Sequence, residues 1–271
     1  MAARTRFARR RWLHAAAIAL SVPILPAMAA PAPRCMAYVT GLTGSRIAEY
    51  PVAAGGYLSR RGAASVTAGG PGAADALFLS RPERAAYVLD TSTGAVFPFH
   101  IAASGALVPM AAGRVPGLNH RPGAYWMAID GKARAAYVLN SAIDRIAQYH
   151  LGPHGGLHPM HPRQVPTGHF PLDLALAPDG RGVYVSNGHD NDVSQYGVGP
   201  GGRLAPMRPA RVAAGRYPNA IAARAVAGRV YVVDVDGKAI SQFAVADHGG
   251  LKPLTCAPAG ISVGCGAARS R

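Results

Sequence analysis

The sequence predicts an all-β fold built from repeated four-stranded units, and both composition and repetition support this prediction. The 271 residues include 33 glycines and 23 prolines, which suits many short strands joined by tight turns and argues against a helical bundle. Hydrophobic residues make up 49% of the chain and charged residues only 15%, so intrinsic disorder is excluded. A Tyr-Val pair recurs five times, with its tyrosine at positions 38, 87, 137, 184 and 231. Successive copies are 47 to 50 residues apart. A repeat of this length with several short strand signals is typical of a β-propeller blade.

Each copy of the repeat keeps the same residue types at fixed distances behind its tyrosine. The ninth residue is isoleucine or valine, and the twelfth is tyrosine or phenylalanine. The eighteenth is always glycine, at Gly56, Gly105, Gly155, Gly202 and Gly249. The twentieth is always leucine, at Leu58, Leu107, Leu157, Leu204 and Leu251. We interpret the glycine as a hairpin residue with positive φ and the leucine as a packing contact between blades.

The fourth copy shows the four strands of a blade most clearly. An inner strand is predicted over 172–177, followed by a Pro-Asp-Gly turn and a second strand over 182–186. A third strand is predicted over Asp192–Val198, and the outer strand follows a glycine-rich turn over 204–212. The sequence therefore predicts five such blades, near residues 35–72, 73–122, 123–170, 171–217 and 218–266.

The first 29 residues are predicted to be a secretory signal peptide. Five arginines precede an apolar run that ends in Ala27-Met28-Ala29, the order of a signal peptide with its cleavage site. Two prolines interrupt the run, so a retained membrane anchor is the weaker alternative. Arg9-Arg10-Arg11 leaves the twin-arginine export route open as a further alternative. We therefore expect a single β-propeller domain over 30–271, located in the periplasm or outside the cell.

The formal net charge of +15 does not identify a nucleic-acid partner. Five of the 28 basic residues and none of the 13 acidic ones lie in the predicted signal peptide, so the rest of the chain carries +10. The remaining basic residues are spread along the chain and form no dense stripe. We therefore expect a monomer whose partner is a small molecule, with no nucleic-acid partner and no membrane contact after signal removal.

The two ends of the chain are expected to close the ring of blades. The first copy enters at Cys35, directly before its second strand, so it lacks an inner strand of its own. Residues 260–266 follow the fifth copy and are predicted to supply that strand, which gives five four-stranded blades closed by the N- and C-terminal strands. In an exported protein a disulfide from Cys35 to Cys265, or alternatively to Cys256, would lock this closure.

The repeat resembles that of the propeller-type lactonases, which include the propeller form of 6-phosphogluconolactonase and the carboxymuconate cyclases. The resemblance rests on Tyr-Val plus Asp or Asn, Ile-x-Gln-Tyr, Gly-x-Leu-x-Pro, and Pro-Asp-Gly-Arg before the next Tyr-Val. It runs from about residue 35 to 254 and is clearest over 172–187. The YVTN-repeat propellers, which are surface and periplasmic binding proteins, share part of this pattern. The resemblance implies hydrolysis of a small lactone, and it implies seven blades where this sequence shows five copies.

The register of the repeat predicts where such chemistry would lie. The loops between blades, and those between the second and third strands, are expected to share one face at the mouth of the central channel. A lactone hydrolase needs a base to activate water and positive groups for the developing oxyanion. We predict His120 or His169 as the base, with Arg121 and Arg216 as the cationic groups. The expected ligand-binding residues are Tyr217, Arg145, Asp190, Asp192 and Asp236.

Alternatives to this site stay open. Each of these side chains could be a solvated loop residue, His169 could be a half-buried packing residue, and the propeller could bind a ligand or protein without catalysis. Residues 189–192 offer oxygen ligands suited to calcium, and 234–237 resemble the start of an EF-hand loop that lacks its glutamate. Turn capping explains the recurrent polar position better, at Asp90, Asn140, Asn187 and Asp234. We therefore expect no cofactor, with a structural divalent cation as the minor alternative.

Overall fold

Four-stranded antiparallel sheets repeat along the chain in a computed structural model, which describes residues 18–20, 35–41, 44–53, 55–59, 64–68, 74–111, 113–116, 123–224 and 228–254. Sheet 1 contains β1 (Ile18–Leu20), β2 (Met36–Thr40), β3 (Arg46–Pro51) and β4 (Ala64–Thr67). Sheet 2 contains β5 (Ala74–Ser80), β6 (Ala85–Asp90), β7 (Ala95–Ile101) and β8 (Leu107–Pro109). Sheet 3 contains β9 (Ala124–Asp130), β10 (Ala135–Asn140), β11 (Arg145–Leu151) and β12 (Leu157–Pro166). Sheet 4 contains β13 (Pro171–Leu176), β14 (Gly182–Asn187), β15 (Asp192–Val198) and β16 (Leu204–Ala213). Sheet 5 contains β17 (Pro218–Arg224), β18 (Arg229–Asp234), β19 (Ala239–Val245) and β20 (Leu251–Pro253).

Every sheet is a meander in which the strands pair in chain order. The prediction of an all-β chain with five four-stranded units is confirmed, and the four strands predicted in the fourth copy match β13 to β16 within one residue at each end. The repeat tyrosine lies in the middle of the second strand. In sheet 4, Tyr184 is opposite Ala175 on one side and Gln195 on the other. The repeat register of the sequence is therefore the register of the sheets.

The inner strand of sheet 1 differs from the expectation. Ile18–Leu20, inside the predicted signal peptide, pairs antiparallel with β2 and brings Ala19 opposite Tyr38. The sequence instead assigned this place to residues 260–266, which lie outside the described residues, as do Cys256 and Cys265. This short strand pairs with backbone N–H and C=O groups of β2 that would otherwise lack partners on that edge.

Hydrophobic cores form where neighbouring sheets face each other. The described residues contain four such cores, one at each junction between consecutive sheets. The repeat tyrosines of sheets 1 to 4 are fully buried in them, at Tyr38, Tyr87, Tyr137 and Tyr184. Burial of a large aromatic ring at each junction makes packing between sheets, rather than within them, the main apolar contribution.

Each junction is also held by a repeated hydrogen bond. The buried tyrosine hydroxyl donates to the carbonyl of the repeat glycine in the next sheet at 2.5–2.7 Å, in the pairs Tyr38–Gly105, Tyr87–Gly155, Tyr137–Gly202 and Tyr184–Gly249. The repeat glycines have φ between +79° and +86°, as predicted for a hairpin position that favours glycine. We call this tyrosine–glycine contact the latch.

A second bond fixes the residue two places after the glycine. Carboxylate or amide oxygens on the third strand accept the N–H of the repeat leucine in the next sheet at 2.6–2.8 Å, in the pairs Glu49–Leu107, Gln148–Leu204 and Gln195–Leu251. The junction between sheets 2 and 3 differs because Pro98 stands at this position of the repeat. The Gly-x-Leu motif is therefore a structural element of the junctions, as the sequence predicted.

No helix in the described part of the chain has the length and apolar character needed to cross a membrane.

Candidate functional site

The candidate site lies where the loops of sheets 3, 4 and 5 come together on one face. Two crossing loops, 167–170 and 214–217, enter sheets 4 and 5, and both contain an aromatic residue at positive φ, Phe170 and Tyr217. Asp144 accepts the N–H of Phe170 at 2.9 Å, and Asn191 accepts the N–H of Tyr217 at 2.8 Å. A loop of sheet 3 therefore fixes the backbone of the crossing loop that enters sheet 4. A loop of sheet 4 does the same for the crossing loop that enters sheet 5.

Glycine lets these loops approach the sheet closely. A Cβ at Gly168 would lie 2.7 Å from the Asn187 side chain and 2.8 Å from a carboxylate oxygen of Asp190. Such separations are too short for any real side chain, so only glycine brings the following residue into contact with Asp190. The repeat places Gly215 equivalently in the next loop, against Asp234.

His169 and Asp190 form a bonded pair at this position. Nδ1 of His169 lies 2.9 Å from Oδ1 of Asp190, and Oδ2 of Asp190 accepts the backbone N–H of His169 at 3.0 Å. The His169 side chain is 74% exposed, whereas the carboxylate is mostly covered. When Nδ1 donates its proton to the carboxylate, Nε2 carries the lone pair and is the nitrogen available to a ligand.

The pKa values of the pair move in opposite directions. The hydrogen bond to Asp190, together with the negative charges of Asp190 and Asp144, raises the pKa of His169 above its usual value. Burial raises the pKa of Asp190, but its bonds to His169 and the charge of Arg211 outweigh burial, so its pKa is lowered. The carboxylate is therefore ionised at neutral pH and favours the protonated imidazole.

Arg211, on the outer strand of sheet 4, joins this pair to a second carboxylate. Its Nη1 donates to Asp190 at 2.6 Å and lies 3.3 Å from Asp192. Asn187 donates to the other oxygen of Asp192 at 2.6 Å and to the Ser194 hydroxyl at 2.8 Å. Burial raises the pKa of Asp192 despite these donors. Arg211 shares Oδ2 of Asp190 with the backbone N–H of His169, and this network limits rotation of the carboxylate.

Aromatic rings form a wall that begins at Phe170, the residue after His169. The rings of Phe170 and His189 are stacked with centroids 4.4 Å apart and planes 10° apart. Tyr217 completes the cluster, with its ring centroid 6.1 Å from that of His189 and 6.4 Å from that of Phe170. Burial and the nearby charge of Asp236 raise the pKa of Tyr217, so its hydroxyl remains a neutral donor. Such a wall offers an aromatic surface on which a ring-shaped ligand could pack.

Arg216 supplies an exposed positive charge next to the wall. It holds the place in its crossing loop that His169 holds in the preceding loop, and it directly precedes Tyr217. The described carboxylates form no ion pair with it. Its guanidinium is therefore available to an anionic group of a ligand.

The structure brings together most, but not all, of the predicted site residues. His169, Asp190 and Asp192 form one network, and Arg216, Tyr217 and Asp236 border it. Arg145 is half-buried at the start of β11, near the Tyr196 hydroxyl that donates to the Pro166 carbonyl. His120 and Arg121 lie outside the described residues.

Two subsidiary interpretations need correction. His169 is not a half-buried packing residue, because most of its side chain is exposed. Turn capping accounts for Asp90 and Asn140, whose oxygens accept N–H groups two or three residues further on. It does not account for Asn187 and Asp234, which instead bond serine hydroxyls on the third strand, Ser194 and Ser241, at 2.8 and 2.7 Å.

Sequence reasoning missed two charged residues of this region. Arg211 is found only by following the irregular pairing of β15 with β16, which places it opposite Ser194. Asp173 lies on the inner strand of sheet 4 and accepts the N–H of Leu174 at 2.7 Å and that of Ile221, in sheet 5, at 2.9 Å. Burial raises the pKa of Asp173 to about 6, although both N–H donors act to lower it.

The aspartates that could bind calcium already form other contacts. Asp190 and Asp192 are both bonded to Arg211, a group that a divalent cation would have to displace. Within the described ranges, no three histidine, cysteine or acidic side chains are placed to hold a metal ion.

No family model matches the sequence, and no curated protein sequence matches it either. Among solved structures, the chain is similar to a candidate 6-phosphogluconolactonase of Bacteroides fragilis, with a TM-score of 0.67 at 17% identity over 81% of this chain. The fold is that of the lactonase-type propellers. A periplasmic gluconolactonase of Pseudomonas aeruginosa has the same fold, with a TM-score of 0.63 and 22% identity over 82% of the chain.

Both neighbours are longer proteins, and this chain spans 66% of the length of each. The fold also accommodates unrelated chemistry, because hydrazine synthase of Kuenenia stuttgartiensis matches 78% of this chain with a TM-score of 0.57 and 12% identity. Function must therefore be argued from the side chains of the site and not from the fold.

Proposed function

We propose that this protein hydrolyses a small lactone at the site between sheets 4 and 5, with His169 as the base. The observation that carries the proposal is the bond of an exposed imidazole to a covered, ionised carboxylate, His169 Nδ1 to Asp190 at 2.9 Å. Such a pair fixes the tautomer and directs Nε2 towards a ligand.

The reaction needs only groups that the site offers. Nε2 of His169 takes a proton from a water molecule while the oxygen of that water bonds to the lactone carbonyl carbon. The bond between this carbon and the ring oxygen then breaks, and Nε2 returns the proton to the departing ring oxygen, leaving a hydroxy acid. The negative charge that develops on the carbonyl oxygen requires a positive or N–H donor, a role that we assign to Arg216.

The wall of Phe170, His189 and Tyr217 supports a cyclic substrate, since one face of a sugar-like ring packs on aromatic surface. Arg216 supports a substrate with a carboxylate, a phosphate or several hydroxyl acceptors. Gluconolactone and 6-phosphogluconolactone meet these requirements, and the fold neighbours from P. aeruginosa and B. fragilis bear names of enzymes for these two compounds.

Hydrolysis of these two lactones by the purified protein tests the proposal. We expect His169→Ala to lower kcat by about 10²- to 10³-fold, the usual contribution of a positioned base. Arg216→Ala should lower kcat for both lactones, because its charge is assigned to the developing oxyanion, and should raise KM more for the phosphorylated lactone than for the neutral one. His158→Ala is the matched control, because His158 is an exposed histidine on the outer strand of sheet 3 and should retain full activity. Turnover that survives in His169→Ala but is lost in His120→Ala would transfer the base to the other predicted histidine.

The aromatic wall also favours a second function, the binding of a ligand without turnover. A stacking surface beside an exposed arginine is sufficient for recognition of a cyclic anion. Saturable binding of 6-phosphogluconolactone or its hydroxy acid, weakened by Tyr217→Ala and Arg216→Ala but without hydrolysis above background, would select this alternative.

Export to the periplasm or beyond is a further part of the proposal. Its support is the basic and apolar N-terminal sequence and the periplasmic location in the name of the P. aeruginosa neighbour. N-terminal sequencing of the protein from a periplasmic extract should begin at Ala30. A protein that retains Ile18–Leu20, the inner strand of sheet 1, would show that the leader belongs to the fold.

A further inference from the structure

The last sheet exposes a face that every other sheet buries. The repeat tyrosines of sheets 1 to 4 are fully buried, whereas Tyr231, at the same position in sheet 5, is 37% exposed. Nine residues further on, the equivalent side chains of sheets 1 to 4 are again fully buried, but Ile240 is 41% exposed. Val233 on the same strand as Tyr231 is also exposed. Sheet 5 therefore exposes the tyrosine that would donate a latch bond and the apolar side chains around it. We call this the donor half of a junction, and no described sheet covers it.

The first sheet exposes the complementary half. The repeat leucines of sheets 2 to 5 are buried, whereas Leu58 is 43% exposed, and Tyr57 beside it is exposed as well. Gly56 has φ +83° and donates its N–H in the same hairpin bond as the other repeat glycines, so its hairpin has the same backbone form as the hairpins that form the latch. A Cβ at Gly56 would meet nothing within 4 Å, while at Gly105, Gly155 and Gly202 it would clash with the preceding sheet.

These two faces match in chemistry because they are the two halves of a contact that this chain forms four times. In each of the four cores, the residue at the Ile240 position and the leucine of the next sheet are members of the same cluster, for example Ile146 with Leu204. By register, Tyr231 would donate to Gly56 and Ile240 would pack on Leu58. The surface therefore selects a Gly-x-Leu hairpin as its partner.

Within one chain these halves do not meet. Both are exposed, and among the described residues no strand of sheet 5 packs extensively on sheet 1. Each of the four formed junctions holds a 2.5–2.7 Å latch bond, whereas the described residues show no hydrogen bond from Tyr231 to Gly56. A Gly-x-Leu hairpin from another molecule would supply the missing partner of each half.

We propose that the exposed face of sheet 5 binds the Gly56–Leu58 hairpin of a second copy of this chain, forming a head-to-tail contact. This contact is heterologous, since different surfaces of the two copies meet, and its apolar centre is Ile240 against Leu58. It replaces the monomer expected from the sequence, and it is independent of the proposed hydrolysis.

Mixed cross-linking tests the contact directly. Cys35, Cys256 and Cys265 are first replaced by serine, and single variants Ile240→Cys and Leu58→Cys are made in that background. Mixing the two single variants with a short bis-maleimide should yield a covalent dimer, whereas Val108→Cys mixed with Leu58→Cys should not. Absence of the dimer, combined with cross-linking inside the monomer of a double Ile240→Cys, Leu58→Cys variant, would establish ring closure instead and overturn the proposal.

Sedimentation of the unmodified protein provides a second readout that does not depend on the serine background. We expect the average mass to rise with protein concentration, and Ile240→Asp to abolish the rise with an unchanged circular dichroism spectrum, since Ile240 is exposed in the single chain. A mass that stays monomeric at every concentration overturns the proposal.

Discussion

The imidazole of His169 is bound through Nδ1 to Asp190, and this bond determines which nitrogen faces solvent. The same carboxylate also holds the backbone of His169 and the guanidinium of Arg211. The side chain is therefore exposed without being free to rotate away from one orientation. A solvated loop histidine without this bond would keep an ordinary pKa, so the pH dependence of hydrolysis tests the two interpretations.

The raised pKa of His169 predicts the pH dependence of hydrolysis. A base acts when it is unprotonated, so the acid limb of kcat/KM should have its midpoint above pH 6.5, the usual value for histidine. Asp190→Asn removes the hydrogen bond and charge that raise this pKa, so the midpoint should move to lower pH while the rate falls. Arg211→Gln removes a charge that lowers the pKa, and its midpoint should move the opposite way. Equal midpoints in all three proteins would assign the limb to another group.

Only part of this site could be predicted from residue types. His169 and Asp190 were both identified from their loops, because the repeat places those loops on one face. Their pairing could not be predicted, since it depends on the close approach that Gly168 allows. Arg211 was missed because the register of β15 and β16 shifts between Ser194 and Tyr196, and simple alternation along the strand fails there.

At the scale of the strands, the repeat predicted the elements well because each repeated residue has one structural duty. Tyrosine fills the junction core, glycine presents its carbonyl to that tyrosine, and leucine is held by a glutamine or glutamate. Two departures from this pattern occur. The repeat side chains of sheets 1 and 5 are exposed where they lack a neighbouring sheet, and sheet 2 has Pro98 at the position of the glutamine. Local sequence fixes the strands, whereas burial of each strand depends on which sheet follows it.

Two equivalent glycines allow the junction to be tested by substitution. Gly202→Ala and Gly56→Ala both place alanine at positive φ, but only at Gly202 would the new Cβ clash with Ala135 of the preceding sheet. We expect Gly202→Ala to lower the free energy of unfolding by about 2 kcal/mol more than Gly56→Ala, the usual cost of overpacking. Urea denaturation of both variants at one low protein concentration measures the difference. Equal losses would show that backbone strain, and not packing at the junction, controls the position.

At the scale of the whole molecule, the extensive contacts among the described strands join sheets that are neighbours in chain order, and a carboxylate additionally links sheets 4 and 5. Asp173 accepts N–H groups from both inner strands, and its pKa of about 6 lies above the usual value for aspartate. No sequence pattern marked this residue, because its burial arises only when the inner strand of sheet 5 is placed beside it.

The raised pKa of Asp173 predicts how global stability varies with pH. The folded chain holds this proton more tightly than the unfolded chain, so the contribution is fully present below about pH 4 and is lost as pH rises through 6. The loss should be on the order of 3 kcal/mol. Asp173→Asn should remove this part of the decline, whereas Asp247→Asn, in an exposed hairpin, should keep it. Parallel stability curves for the wild type and Asp173→Asn would contradict the assignment.

The latch between consecutive sheets also bears on how such a chain can change over generations. Because the tyrosine of one repeat and the glycine of the next form a self-contained pair, a stretch of about 48 residues can be gained or lost in frame and leave matching partners on both sides of the joint. Unequal recombination between repeats would thus alter the number of sheets without a single compensating point mutation. Histories of this kind leave arrays that differ in length by whole repeats and share every internal contact.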